Sequence, residues 1–225
     1  MIPSRSPVAI RLGKLAEAGR TGSLYLSGDS GGVIYLSKGE IVAADSRRTP
    51  SLAARIGTEE AGSFERTWMA TETTIDAAAE LMSTRPRHVR FRDPEEDADG
   101  PGSTGIPGMP LTTLMAEVNR RHNLLGQIAG VLTADAAVAR NLRLRSHAVH
   151  VSDGQWTILM RLDQPATPRG LALALGRSVF GMTIEVYRMV IMDLVSPIDV
   201  PARPADPAGE AGRGRSALSF IRALA

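Results

Sequence analysis

Apolar and polar positions change period several times along the chain, and those changes divide it into elements. From about Pro7 to Ala18, Leu12, Leu15 and Ala16 recur at helical spacing and Gly19 closes the run, which predicts a helix. The period then drops to two. Leu24 and Leu26 alternate with polar neighbours across Gly22 to Ser27, Val33 and Tyr35 alternate with Ile34 and Leu36 across Gly32 to Ser37, and Glu40 to Asp45 follows a tight Lys38-Gly39 turn. An antiparallel meander is expected. Ser51 to Gly57 and Thr71 to Ser83 read as helices, the second with Ile75, Ala78, Ala79 and Met82 on one side. Arg87 to Arg92 sets His88, Arg90 and Arg92 against Val89 and Phe91, which predicts one more strand of the same sheet.

Periodicity is then lost. Asp93 to Pro110 holds five acidic residues, no basic one, four prolines and several glycines, a composition suited to a linker. Leu111 to Leu125 returns to helical spacing through Leu114, Met115 and Val118, and the sequence leaves open which domain that helix joins. From Val149 the elements are short. A strand, Val149 to Val151, leads to a helix opened by the capping box Ser152 and Gln155; Thr167-Pro168 opens another, and Gly176 stops it. Ser178 then caps a third helix running to Val195, ahead of a strand over Ile198 to Val200. Two helices joined across three residues and flanked by strands predict a winged helix. Residues 202 to 215 read as a mobile tail, and Leu218, Ile221 and Leu224 mark a short apolar end.

The expected fold class is therefore α+β: an antiparallel meander sheet with helices over residues 1–92, a linker over 93–110, a second, smaller winged-helix domain over 111–200, and a tail over 201–225. The order of a helix, then Arg20-Thr21-Gly22-Ser23-Leu24-Tyr25-Leu26, then Gly32-Val33-Ile34-Tyr35-Leu36 and Gly39-Glu40-Ile41-Val42-Ala43-Ala44 resembles the PATAN domain. That family is a bacterial module found beside receiver domains and winged helices. The resemblance covers about Val8 to Arg92. The later stretch, with Val151-Ser152 leading to Trp156, then Leu171 to Gly176 and Leu194-Val195, is similar to the winged helix that follows such domains in actinobacterial proteins. The resemblance implies signalling or transcriptional control through protein contacts and supplies no catalytic residues.

Composition narrows the chemistry. In 225 residues the formal charge is only +2, so the chain is not broadly polycationic. The absence of Cys removes disulfides, thiol catalysis and thiolate metal sites, and fits a reducing, cytoplasmic setting. No apolar run approaches the roughly 18 residues of a membrane span. Lys14 and Lys38 are the only lysines, an arginine bias that suggests a GC-rich genome. Gly28-Asp29-Ser30-Gly31-Gly32 spells the phrase around a serine-protease nucleophile, but no histidine precedes it, and turn chemistry explains the same residues. His147 and His150, three apart on an extended segment, face opposite ways and lack a completing ligand, so neither a metal nor a cofactor is expected. Trp68 and Trp156 read as core anchors.

The third short helix carries the functional expectation. At the helical period Ile184, Tyr187, Ile191, Leu194 and Val195 face inward, leaving Met182, Glu185, Met189 and Met192 outward as an apolar, faintly acidic strip. DNA-reading helices offer Arg, Lys, Asn or Gln instead, whereas methionines adapt to protein partners. The strip therefore predicts a protein partner for a non-enzymatic regulator. The alternative is direct DNA binding through Arg140, Arg143, Arg145, Arg169, Arg177 and Arg188. Self-association is left open.

Overall fold

The computed structural model describes residues 6–56, 63–96, 107–143 and 148–198. The chain forms two compact units that interleave along the sequence: Met1–Gly126 with Ala172–Phe180, and Gln127–Leu171 with Gly181–Ala225. No helix among the described residues is long and apolar enough to cross a membrane.

The first unit contains α1 (Pro7–Glu17), β1 (Gly22–Ser27), β2 (Gly32–Ser37), β3 (Glu40–Ser46), α2 (Leu52–Ile56), α3 (Ser63–Ser83), β4 (His88–Arg92), a 3-10 turn at Pro94–Glu96, and α4 (Leu111–Ile128). Its four strands pair antiparallel in the order β3-β2-β1-β4, so the meander and the added strand expected from the sequence are both present within an α+β fold. The β2–β3 hairpin closes through Lys38 and Gly39 at φ 50° and 84°, two successive left-handed residues as a two-residue hairpin of this hand requires. A bulge shifts the register between Tyr35 and Leu36, where Tyr35 faces Ala43 and Leu36 faces Ile41. The extra residue, Val42, lets Ile41 and Ala44 both turn inward although they lie three apart.

One face of the sheet makes the core. Leu24, Leu26, Ile34 and Leu36 meet Val8 and Leu12 of α1, Ile75, Ala78 and Leu81 of α3, and Leu114 and Val118 of α4. That contact answers where α4 belongs: it closes the core of the sheet. The linker expected over 93–110 falls partly outside the described residues, but Met109 rejoins the sheet, exchanging backbone hydrogen bonds of 2.8 and 2.9 Å with Ile41 at the β3 edge.

The remaining elements are β5 (Val138–Arg140), α5 (Asp153–Arg161), α6 (Pro168–Leu175), α7 (Val179–Ile191) and β6 (Val195–Pro197). The Ser152–Gln155 capping box forms with both bonds, at 3.2 and 3.0 Å, and Thr167 caps α6 by accepting from Gly170 N–H at 3.0 Å. Several expectations fail. Val149 to Val151 is not a strand; the strand that pairs here is β5, which runs antiparallel to β6 and is bridged at Val138 by Ala166. The third helix stops at Ile191 rather than Val195, because Asp193 turns left-handed at φ 60° and Asn141 donates to its carbonyl at 2.8 Å. Leu194 and Val195 leave the helix for β6. The strand expected over Ile198 to Val200 and the tail from residue 201 lie outside the described residues, apart from Ile198, which is not in a strand. Neither tryptophan anchors the core: Trp68 is 59% exposed and Trp156 57%.

Candidate binding surfaces

The strip proposed for α7 is not on the surface. Met182 is 3% exposed and Met189 0%, while Ile191, assigned inward, is 39% exposed. The cause is the helix composition: from Val179 to Ile191 only Glu185 and Arg188 are charged, and a helix apolar around its circumference is buried around its circumference. Thr183, Ile184, Val186 and Tyr187 are buried as well. Glu185 and Met192 are half-buried and turned toward α5, where Gln155 Nε2 donates to Glu185 at 2.7 Å and lies 3.8 Å from the Met192 sulfur.

The first turn of α7 belongs to the first unit and is occupied by a carboxylate. Asp76, 4% exposed on α3, accepts from Val179 N–H at 2.8 Å, Ser178 Oγ at 2.9 Å and Arg121 Nη1 at 3.0 Å, and pairs with Arg55. It thus sits where a helix N-terminus draws an anion and gives the Val179 N–H an acceptor. Arg121, 3% exposed on α4, also holds Glu72 at 2.9 Å and Glu117 at 2.8 Å. Hydrogen bonding from Arg120 pulls the Glu117 carboxyl down from 4.5 to about 2, against an opposing push from burial. Phe180 lies under both guanidiniums, 5.0 Å from that of Arg121 and 5.7 Å from that of Arg120. Apart from Arg55 Nε, which is buried without a hydrogen-bond partner, these charges are turned onto one another within the first unit.

The arginines proposed for DNA are variously committed. Arg169 makes two hydrogen bonds to Asp135, at 2.7 and 3.1 Å, and Arg188 binds Glu185 at 3.2 Å. Arg140, Arg143 and Arg177 are exposed, and Arg145 and His147 lie outside the described residues. Acidic residues nearly balance the basic ones in this half of the chain, and of the acids expected to offset the arginines, Asp135, Asp153 and Asp163, the first engages Arg169; Glu185 as the partner of Arg188 was not anticipated.

Serine chemistry finds no support in the geometry. Ser30 of the Gly-Asp-Ser-Gly-Gly loop is 6% exposed and donates to Glu80 at 3.2 Å, so its neighbour is a carboxylate and not an imidazole. Ser83 does sit 2.7 Å from His122 Nε2, and His122 Nδ1 is 3.3 Å from Val118 O. Ser83 closes the C-terminus of α3, however, where carbonyl oxygens would oppose a developing oxyanion. Burial lowers the His122 pKa below 6.5, which holds the ring neutral as a hydrogen-bonding strut.

The face of the sheet turned away from the core is different. The register places Tyr25 of β1 opposite Val33 on one side and Arg90 on the other, and Ser23 opposite Tyr35 and Arg92. Tyr25 and Tyr35 are half-buried, with the Arg92 guanidinium 4.9 Å over the Tyr25 ring. Asp45 and Arg47 at the far end, with Tyr25, Val33 and the Gly28, Gly31 and Gly32 backbone, line a hollow of about 470 Å³. Burial raises the Asp45 carboxyl above 3.8. The face thus carries two aromatic rings between a basic strand and the Asp45 carboxylate. Period-two alternation marks Tyr35, Arg90 and Arg92 as one side of their strands but carries no signal of which strands share a face. Among the described residues no group of His, Asp or Glu gathers as a metal site. Compared with protein-family models, curated proteins and solved structures, the chain matches none of the three, so the reading of this surface rests on its own residues.

Proposed function

We propose that the chain is a non-catalytic regulatory adaptor that works by protein contact through the outer face of its sheet. The observation carrying this reading is the pair Tyr25 and Tyr35, partly open on that face and bordered by Arg90 and Arg92. Tyrosine and arginine together are the residues that concentrate binding energy at protein interfaces, because they bury large areas with few lost rotamers and keep a polar end. The sequence resemblance to the PATAN domain, which implies signalling or transcriptional control through protein contacts, points the same way and covers these strands. The winged-helix alternative, direct DNA binding, is weaker. It asks for an accessible helix N-terminus and free arginines, whereas Asp76 caps α7, and Asp135 and Glu185 engage Arg169 and Arg188.

The test is a photo-crosslinking residue introduced at Tyr35 of the full chain in its native cells. Discrete protein adducts, lost on Tyr25→Glu, are expected. Adducts to nucleic acid, or adducts forming only from Arg140 and Arg143, would establish the alternative.

A further inference from the structure

The outer edge of β4 has an unusual charge pattern. β4 is a terminal strand of the sheet, paired with β1 on one side and with no strand on the other among the described residues. Its side chains alternate: Val89 and Phe91 lie opposite Leu26 and Leu24 on the core side, while His88, Arg90 and Arg92 occupy every position on the outer face. Exposed Arg85 and Arg87 lead into it. Counter-charge is sparse. Arg87 reaches only the exposed Asp29, at 3.9 Å, and Arg90 meets no carboxylate among the described residues. Arg92 is held over Tyr25 by its ring rather than by an acid.

A bare edge is commonly guarded by charge, and one or two lysines, a proline or a bulge suffice for that. Here Arg90 and Arg92 repeat at the strand period of about 6.6 Å, and exposed Arg85 and Arg87 precede them, so positive charge is gathered along one edge and its groups repel one another. The repulsion is relieved by an opposing strand bearing acids at the same period, since directly paired side chains on neighbouring strands come within about 5 Å. Resting on the protein-contact reading above, we infer that β4 is an acceptor edge for an extended acidic segment of a partner protein, with carboxylates at alternate positions facing His88, Arg90 and Arg92. The partner strand completes a fifth position in the sheet through its main chain, and its alternate side chains supply specificity. Tyr25 and Tyr35 share the outer face but lie farther in, on β1 and β2.

Full-length protein is titrated with a fluorescent peptide of roughly ten residues alternating Glu and Val, matched to the length of a short strand and its flanks. A peptide of the same composition with its glutamates in one block, an alternating Lys and Val peptide, and an oligothymidine serve as comparison ligands. Preferential binding of the alternating acidic peptide is expected, with slowed amide exchange confined to β4 and β1 and at least about a tenfold loss in Arg90→Glu. Arg90→Gln, a milder change at an exposed position, is expected to lose less and to leave the thermal melt unchanged. Equal binding of the blocked peptide, or binding without protection of β4 amides, would sink the edge proposal in favour of unspecific attraction. Tighter binding of oligothymidine would reassign the surface to nucleic acid. If no peptide binds while Tyr35 still crosslinks to protein, the edge proposal falls and the face reading stands; if both fail, both fall.

Discussion

Asp76 shows what one residue decides. Its carboxylate is almost completely buried yet joined to two guanidiniums, a hydroxyl and a backbone N–H, so the cost of desolvating it is offset only while every partner stays in place. Asp76→Ala removes the acceptor and leaves the buried Arg55 guanidinium without its acid, and a loss of about 3–5 kcal/mol in urea unfolding is expected. Asp76→Asn keeps an acceptor for Val179 N–H and is expected to cost less. None of this was legible beforehand. Asp76 lies on a helix whose apolar side was correctly read from Ile75, Ala78 and Met82, but its partners are 21, 45 and about a hundred positions away, beyond any local spacing rule. The tryptophans failed in the opposite direction. Size suggested that Trp68 and Trp156 lie in the core, and large rings at helix surfaces obey no such rule.

At the scale of elements, what was legible had a local cause. The Lys38-Gly39 turn, the Ser152 capping box, the Thr167 cap and the Gly176 stop all follow from backbone chemistry within a few residues, and all are present. Strands β5 and β6 were missed because three residues cannot display a period. α7 was recognised as a helix but given a surface it does not have. Assigning two faces presupposes an amphipathic helix, and when nearly all side chains are apolar the period carries no direction. The two methionines separate the readings experimentally. Met189→Ala, at a fully buried position, is expected to destabilise by about 2–5 kcal/mol, whereas Met192→Ala, half-buried at the end of the helix, costs well under that. Equal and small effects in chemical denaturation would return Met189 to the surface.

For the whole molecule, acid stability follows from two groups with opposite chemistry and the same sign. Burial lowers the pKa of His122 below 6.5, so the unfolded chain takes up that proton first, and the stability linked to a neutral ring is complete above 6.5 and lost as the pH falls below it. Glu117, drawn from 4.5 to about 2, adds stability that is complete above 4.5 and lost as the pH falls toward 2. Urea midpoints measured from neutral to acid pH are expected to fall in two stages; His122→Gln flattens the upper stage and Glu117→Gln the lower. The two-unit arrangement also bears on how the protein is made. The backbone passes between the units at residues 126/127, 171/172 and 180/181, so the first unit is not contiguous. Asp76 leaves the ribosome 103 positions ahead of Val179, the N–H it must cap. At about 5–20 residues per second that interval lasts roughly 5–20 s. Throughout it helix α3 holds an aspartate whose last partners have not yet been translated, and a message that slows over the intervening codons lengthens the time this protein spends open to capture by chaperones or proteases.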